Sequence, residues 1–174
     1  MVTLKYKDEK DRAYGLGGMT VCMLLMDNEG FIDSVNLDAP ADCGMVFSPD
    51  FYYIDNPNLS AKAVWRKKST QFETVAGMLI SNLLARALVR EQSEISRELS
   101  DLLLSNLKDE GREACSLEED EVRDVFYKTY SFFHRVFSHR QVGAIMDEFV
   151  DKLIKARRMD RESVITVFGR LINR

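Results

Sequence analysis

A chain of 174 residues is near the usual size of one domain and can bury a sizeable core. Its 45% hydrophobic and 30% charged residues exclude an intrinsically disordered chain, and a net charge of −4 is too small to name a partner. The three cysteines, Cys22, Cys43 and Cys115, are widely spaced and form no C-x-x-C pair, so they read as reduced thiols.

Met1 to Asp8 is of mixed charge and lacks the apolar core of a signal peptide, so a cytoplasmic location is the expectation. Lys5 to Arg12 is a solvated run of alternating charge, read as a short helix or an extended arm. The glycines of Gly15-Leu-Gly-Gly18 suggest a turn. Met19 to Met26 is a continuous apolar run of strand length, Asp27-Asn-Glu-Gly30 supplies turn residues, and Phe31 to Asp38 partly alternates, so residues 19–38 are expected to form a β-hairpin. Met45 to Ser48 and Phe51 to Ile54 are expected as two further short strands. Ser60 is placed to cap a short helix through Trp65.

Near Lys67-Lys68-Ser69-Thr70 the pattern changes to that of helices. Thr70 with Glu73 fits a capping box, and Phe72, Val75, Leu79 and Leu83 then make an apolar stripe. Val75 to Val89 is apolar nearly all round, as in a helix central to a bundle. At about 15 residues, interrupted by Ser81, Asn82 and Arg86, it is too short for a membrane span of about 20, so no membrane partner is expected. A bend or a change of neighbours is expected near Glu91-Gln-Ser93. Later helices are expected to start from Ser116 with Glu119 as a second capping box, from Ser138, and from Asp160. The whole reads as α+β: an antiparallel hairpin or meander in a β-rich lobe, residues 1–68, packed on four to five helices, residues 69–174, in one cooperative domain.

Chemistry-bearing motifs are few. His134 and His139 stand about 140° apart on a helix and cannot share a metal from one face, so no metal site is expected. Gly15 to Gly18 precedes a predicted strand, which does not suit a phosphate loop, and Asp27 to Gly30 fails the spacing of a calcium loop. Cys43, in a turn, is the best-placed thiol for a nucleophile, with no local signature behind it. No cofactor is implied, and the balance leans away from an enzyme.

Three readings remain. The first is a non-catalytic protein-interaction or assembly module acting through a protein partner or self-association, with the apolar edge Phe51 to Ile54 as one surface. In the second, Asn82, Arg86 and Arg90, four residues apart on the most apolar helix, hold a carboxylate or other anion in a cleft between the lobes; unpaired guanidinium groups in an open pocket favour it, and an acid bonded to each opposes it. The third is nucleic-acid binding through Lys155, Arg158 and Arg161.

Charge is distributed unevenly. Glu91 to Asp124 holds twelve acids against four bases, and Val125 to Arg174 ten bases against five acids. Pairing of these stretches within one molecule is the simpler expectation, because it needs no second copy.

Overall fold

A computed structural model describes residues 2–40, 43–52 and 60–172. The fold is α+β, a bundle of helices with a small antiparallel sheet. The first element corrects the predicted hairpin. Glu9–Leu25 is a helix, α1, so Gly15 to Gly18 is no turn and Met19 to Leu25 is no strand. Asp8 starts it, its carboxylate accepting from the Asp11 N–H at 2.7 Å. Buried residues occupy most of its circumference, which erases the helical period that would distinguish it from a buried strand. The glycines serve close packing: a Cβ at Gly18 would sit 2.3 Å from the Ser81 carbonyl oxygen, and one at Gly17 would sit 2.7 Å from the Met146 methyl group.

After a 3-10 turn at Glu29–Phe31 come β1, Ile32–Asn36, and β2, Met45–Phe47, both close to the predicted strands. Pro49–Phe51 is a 3-10 turn where a strand was predicted to begin. The remainder of that strand, Tyr53 and Ile54, lies outside the described residues. A third strand, β3, Arg158–Asp160, has no counterpart in the prediction; it pairs on the other side of β1, giving the antiparallel order β2-β1-β3. Three residues are too few for an alternating pattern to show.

The central helix α2 spans Ala61–Leu84, with the Ser60 hydroxyl accepting from the Ala63 N–H at 3.3 Å. Ser60 is thus the cap of the long helix itself, and Thr70 sits inside it, its carbonyl accepting from the Thr74 hydroxyl. The change of pattern at Lys67 to Thr70 marks where α2 enters the core. Residues 85–90 continue as a π-helical segment, in which Glu91 N–H donates to the Arg86 carbonyl five residues back at 3.1 Å. Gln92 then takes a positive φ of 48°, ending the helix where the predicted bend falls. Residues 61–90 are apolar and long enough by composition to cross a bilayer, but 72% of the most apolar window is buried inside the fold, as in a core helix.

The remaining helices are α3, Arg97–Cys115; α4, Glu119–Phe137; α5, Arg140–Ala156; and α6, Arg161–Ile172. Ser96 caps α3. The capping box of α4 is formed by Glu118 and Glu121 rather than Ser116 and Glu119, because Ser116 has already turned left-handed (φ 53°) to end α3. Ser138 likewise ends α4, its hydroxyl donating to the His134 carbonyl, and His139 opens α5. Asp160 accepts from the Ser163 N–H at 2.9 Å, as predicted.

One buried cluster runs through every layer. Phe126, Phe133, Phe149 and Phe168 are buried within it, and Ile32, Val35 and Met159 join the sheet to it. The predicted stripe on α2 is only half internal. Phe72 and Leu83 are buried, Val75 is half-buried and Leu79 is 39% exposed. The face that meets α1 carries Thr74, Ser81 and Ala85 instead, small residues that let the two backbones approach.

Candidate functional site

The polar row on α2 lies under the N-terminal arm and the first turn of α1. Arg86 is fully buried and donates to Asp11 Oδ2 at 2.6 Å, to the Lys5 carbonyl at 2.9 Å and to Asn82 Oδ1 at 3.5 Å. The Tyr6 ring lies over the guanidinium, 4.9 Å from centroid to central carbon, a cation–π distance. Asn82 donates to the Tyr6 hydroxyl at 2.8 Å. Arg90 reaches Asp8 at 2.5 Å, and its Nη1 lies 2.8 Å from Asp11 Oδ1, near enough for charge pairing but off the line that a hydrogen bond prefers.

Asp11 is the hub of this network. Burial alone would raise its carboxyl, but hydrogen bonds from Arg86 and the Lys7 backbone N–H, with the Arg90 guanidinium beside it, prevail and hold it at about 2. The structure therefore brings Asn82, Arg86 and Arg90 together as expected, and gives each arginine an acid. That is the arrangement that opposes an anion cleft. Asp8, Asp11, Tyr6 and the Lys5 carbonyl were not identified from sequence as partners. The one available signal was Asp8 with Asp11 three residues on, a helix start preceding the polar row by some seventy residues.

The other singled-out residues do not converge. His134 is bonded to Glu94 at 3.1 Å, whereas His139 stands at the start of α5. Among the described residues no group of three His, Cys, Asp or Glu side chains is placed to hold a metal ion. Cys22 and Cys115 are buried, and burial pushes the Cys22 thiol up to about 12, which leaves it un-ionised and inert. Cys43 is exposed. Lys155 and Arg158 line a depression of about 560 Å³ in which Asp160 and Glu162 interleave with the bases, and Arg158 lies 3.6 Å from Asp33. Arg161 is exposed nearby, and neither it nor Lys155 has an ion-pair partner among the described residues.

Two further cavities lie on either side of the α4–α5 junction. One, of about 550 Å³, is lined by the polar and charged residues Ser93, Glu94, His139, Arg140 and Asp147. The Asp147 carboxylate accepts from the Tyr14 hydroxyl at 2.6 Å. The other, of about 780 Å³, is an apolar groove lined by Leu25, Val136, Val142, Ile145 and Leu171, with Arg135, Glu148 and Arg170 at its rim.

The charges follow the same separation. Among the described residues, the ion pair that joins the acidic stretch to the basic one is His134 with Glu94, which is charged only when the histidine is protonated. The other pairs are internal to each stretch, as Lys108 with Glu119, or reach the N-terminal region, as Arg157 with Glu9 and Asp38. The two stretches do meet where α3 packs on α4, most of which belongs to the basic stretch, but among the described residues that contact carries one ion pair across them, Glu94 with His134. Comparison with protein-family models, with curated proteins and with solved structures finds no significant match.

Proposed function

We propose that this protein is a non-catalytic assembly module of the cytoplasm, which self-associates through charge complementarity between its acidic α3–α4 flank and its basic α5–α6 flank. The observation that carries this reading is the near absence of ion pairs between the two stretches among the described residues. Exposed Glu98, Glu110, Glu113, Asp120 and Asp124 on α3 and α4, and Arg140, Lys155 and Arg161 on α5 and α6, are left facing solvent. Opposite potentials on separate faces attract copies of the same chain even when net charge is near zero, and they steer encounter at low salt. The arginine network gives a ligand site less support, since Arg86 and Arg90 are each ion-paired to an aspartate.

Molar mass in solution, measured by light scattering over a range of concentration and salt, tests the proposal. Mass should rise with concentration at low salt and return to the monomer value as salt is raised. A monomer at low salt that instead binds RNA or DNA, with affinity falling steeply as salt rises, would favour the nucleic-acid reading of Lys155, Arg158 and Arg161.

A further inference from the structure

We infer that the first turns of α2 bind single-stranded nucleic acid, with Trp65 stacking on an unpaired base and Lys62, Arg66 and Lys68 meeting the phosphates around it. This goes beyond the self-association proposed above and does not depend on it. Between Asp55 and Glu73 the chain carries four bases, Lys62, Arg66, Lys67 and Lys68, and no acid. All four are exposed, and none has an ion-pair partner among the described residues. No residue from Ala61 to Gln71 is buried, so this end of α2 stands at the margin of the core that its later turns enter.

Trp65 is held in place. Its indole N–H donates to the Cys115 carbonyl at 3.1 Å, and the Cys115 thiol donates to the Lys68 carbonyl at 3.5 Å, so the end of α3 anchors both the ring and the turn that carries it. With its polar atom engaged, the side chain is still 49% exposed. At about 100° per residue, Lys62 lies about 60° to one side of Trp65 one turn earlier, and Lys68 about 60° to the other side one turn later. Arg66 lies about 100° round, beyond Lys62. A fixed aromatic face between cations takes a base by stacking and its phosphates by charge.

Nearby acids do not cancel these charges. Glu73 is about two turns on from Trp65, and Asp50 shares a depression of about 290 Å³ with Arg66 and Lys67 on the far side of the helix. On α3, Gly111 and Cys115 face α2, which turns Glu110 and Glu113 about 100° or more away, and Glu118 caps α4. A bilayer needs an apolar face, yet no other large hydrophobic side chain is exposed between Ala61 and Gln71. An acidic peptide would leave the ring idle, and a duplex has its bases already stacked.

Trp65 is the only tryptophan, so its fluorescence reports on this surface directly. Titrating the full chain at low salt with an oligothymidylate of about 15 nucleotides should quench it, and anisotropy of the labelled oligonucleotide gives the affinity. Three phosphate contacts predict a slope of log affinity on log salt of about −2, which Lys68→Gln should make shallower by about 0.7. Trp65→Ala should weaken binding roughly tenfold. Lys67→Gln, the same change of charge about 160° round from Trp65, should weaken it less than Lys68→Gln. Lys67 and Lys68 are exposed, so neither glutamine variant disturbs the core. Absence of both quenching and binding overturns the inference. So does binding that Trp65→Ala and Lys68→Gln leave unchanged while Lys155→Gln weakens it, or a duplex bound as tightly as the single strand. A blue shift of Trp65 with phosphatidylserine vesicles, without quenching by the oligonucleotide, overturns it in favour of a membrane. Molar mass against salt is read separately, so each of these failures leaves the assembly reading standing.

Discussion

Arg86 and Asp11 show how much one buried pair constrains the fold. Both side chains are fully buried, so removing one partner leaves the other as an uncompensated charge. Arg86→Ala should cost about 3–5 kcal/mol of unfolding free energy in chemical denaturation, moderated by Arg90, which still reaches Asp11. The pair also sets a pH dependence. Because the folded Asp11 carboxyl titrates at about 2, below its unfolded value, its contribution is fully present above about pH 4 and is lost as pH falls from there toward 2. Asp11→Asn should lower stability near neutral pH and flatten the acid limb of the stability–pH curve. An unchanged acid limb would show that Asp11 is not held down by its cations. The polar row of Asn82, Arg86 and Arg90 was legible from spacing alone, since polar groups on an apolar helix must find partners. The partners were not legible, because Arg86 and Asp11 are 75 positions apart and nothing local links them.

At the scale of elements, the helices with one wet face were readable, as was the nearly all-apolar end of α2, but α1 was not. Apolar residues recurring with a period of about 3.6 mark the inner faces of α4 and α5: Val122, Phe126, Phe133, Ile145, Met146 and Phe149 are buried, and Val125 and Val136 are half-buried. In α1 that period disappears, and its glycines resemble a turn although they serve contact with α2 and α5. This leads to a contrast in sign. Glycine to alanine inside a helix ordinarily gains up to about 1 kcal/mol from propensity. Gly169 in α6, with nothing within 4 Å of an added Cβ, should show that gain on thermal unfolding. Gly18→Ala should instead lose about 1–3 kcal/mol, because its Cβ would meet the Ser81 carbonyl and Ala85. A stabilised Gly18→Ala would mean that α1 and α2 do not approach as described. The boundaries of α2, α4 and α5 shifted for a related reason: serine and threonine suit both ends and interiors of helices, and tertiary packing decided which role each took.

At the scale of the whole molecule, the uneven charge was visible in the sequence, but its consequence was not. Pairing within the chain would have made an inert, self-neutralised bundle. Among the described residues one ion pair, Glu94 with His134, joins the two stretches, and acids of α3 and α4 and bases of α5 and α6 stay exposed. Sedimentation equilibrium of the native chain as a function of salt tests the resulting account most directly. The account predicts a concentration-dependent association that is strongest at low ionic strength and weakens continuously as the Debye length shrinks from about 10 Å at 0.1 M to about 3 Å at 1 M. A chain that remains monomeric throughout, or that associates more strongly as salt is raised, would contradict it.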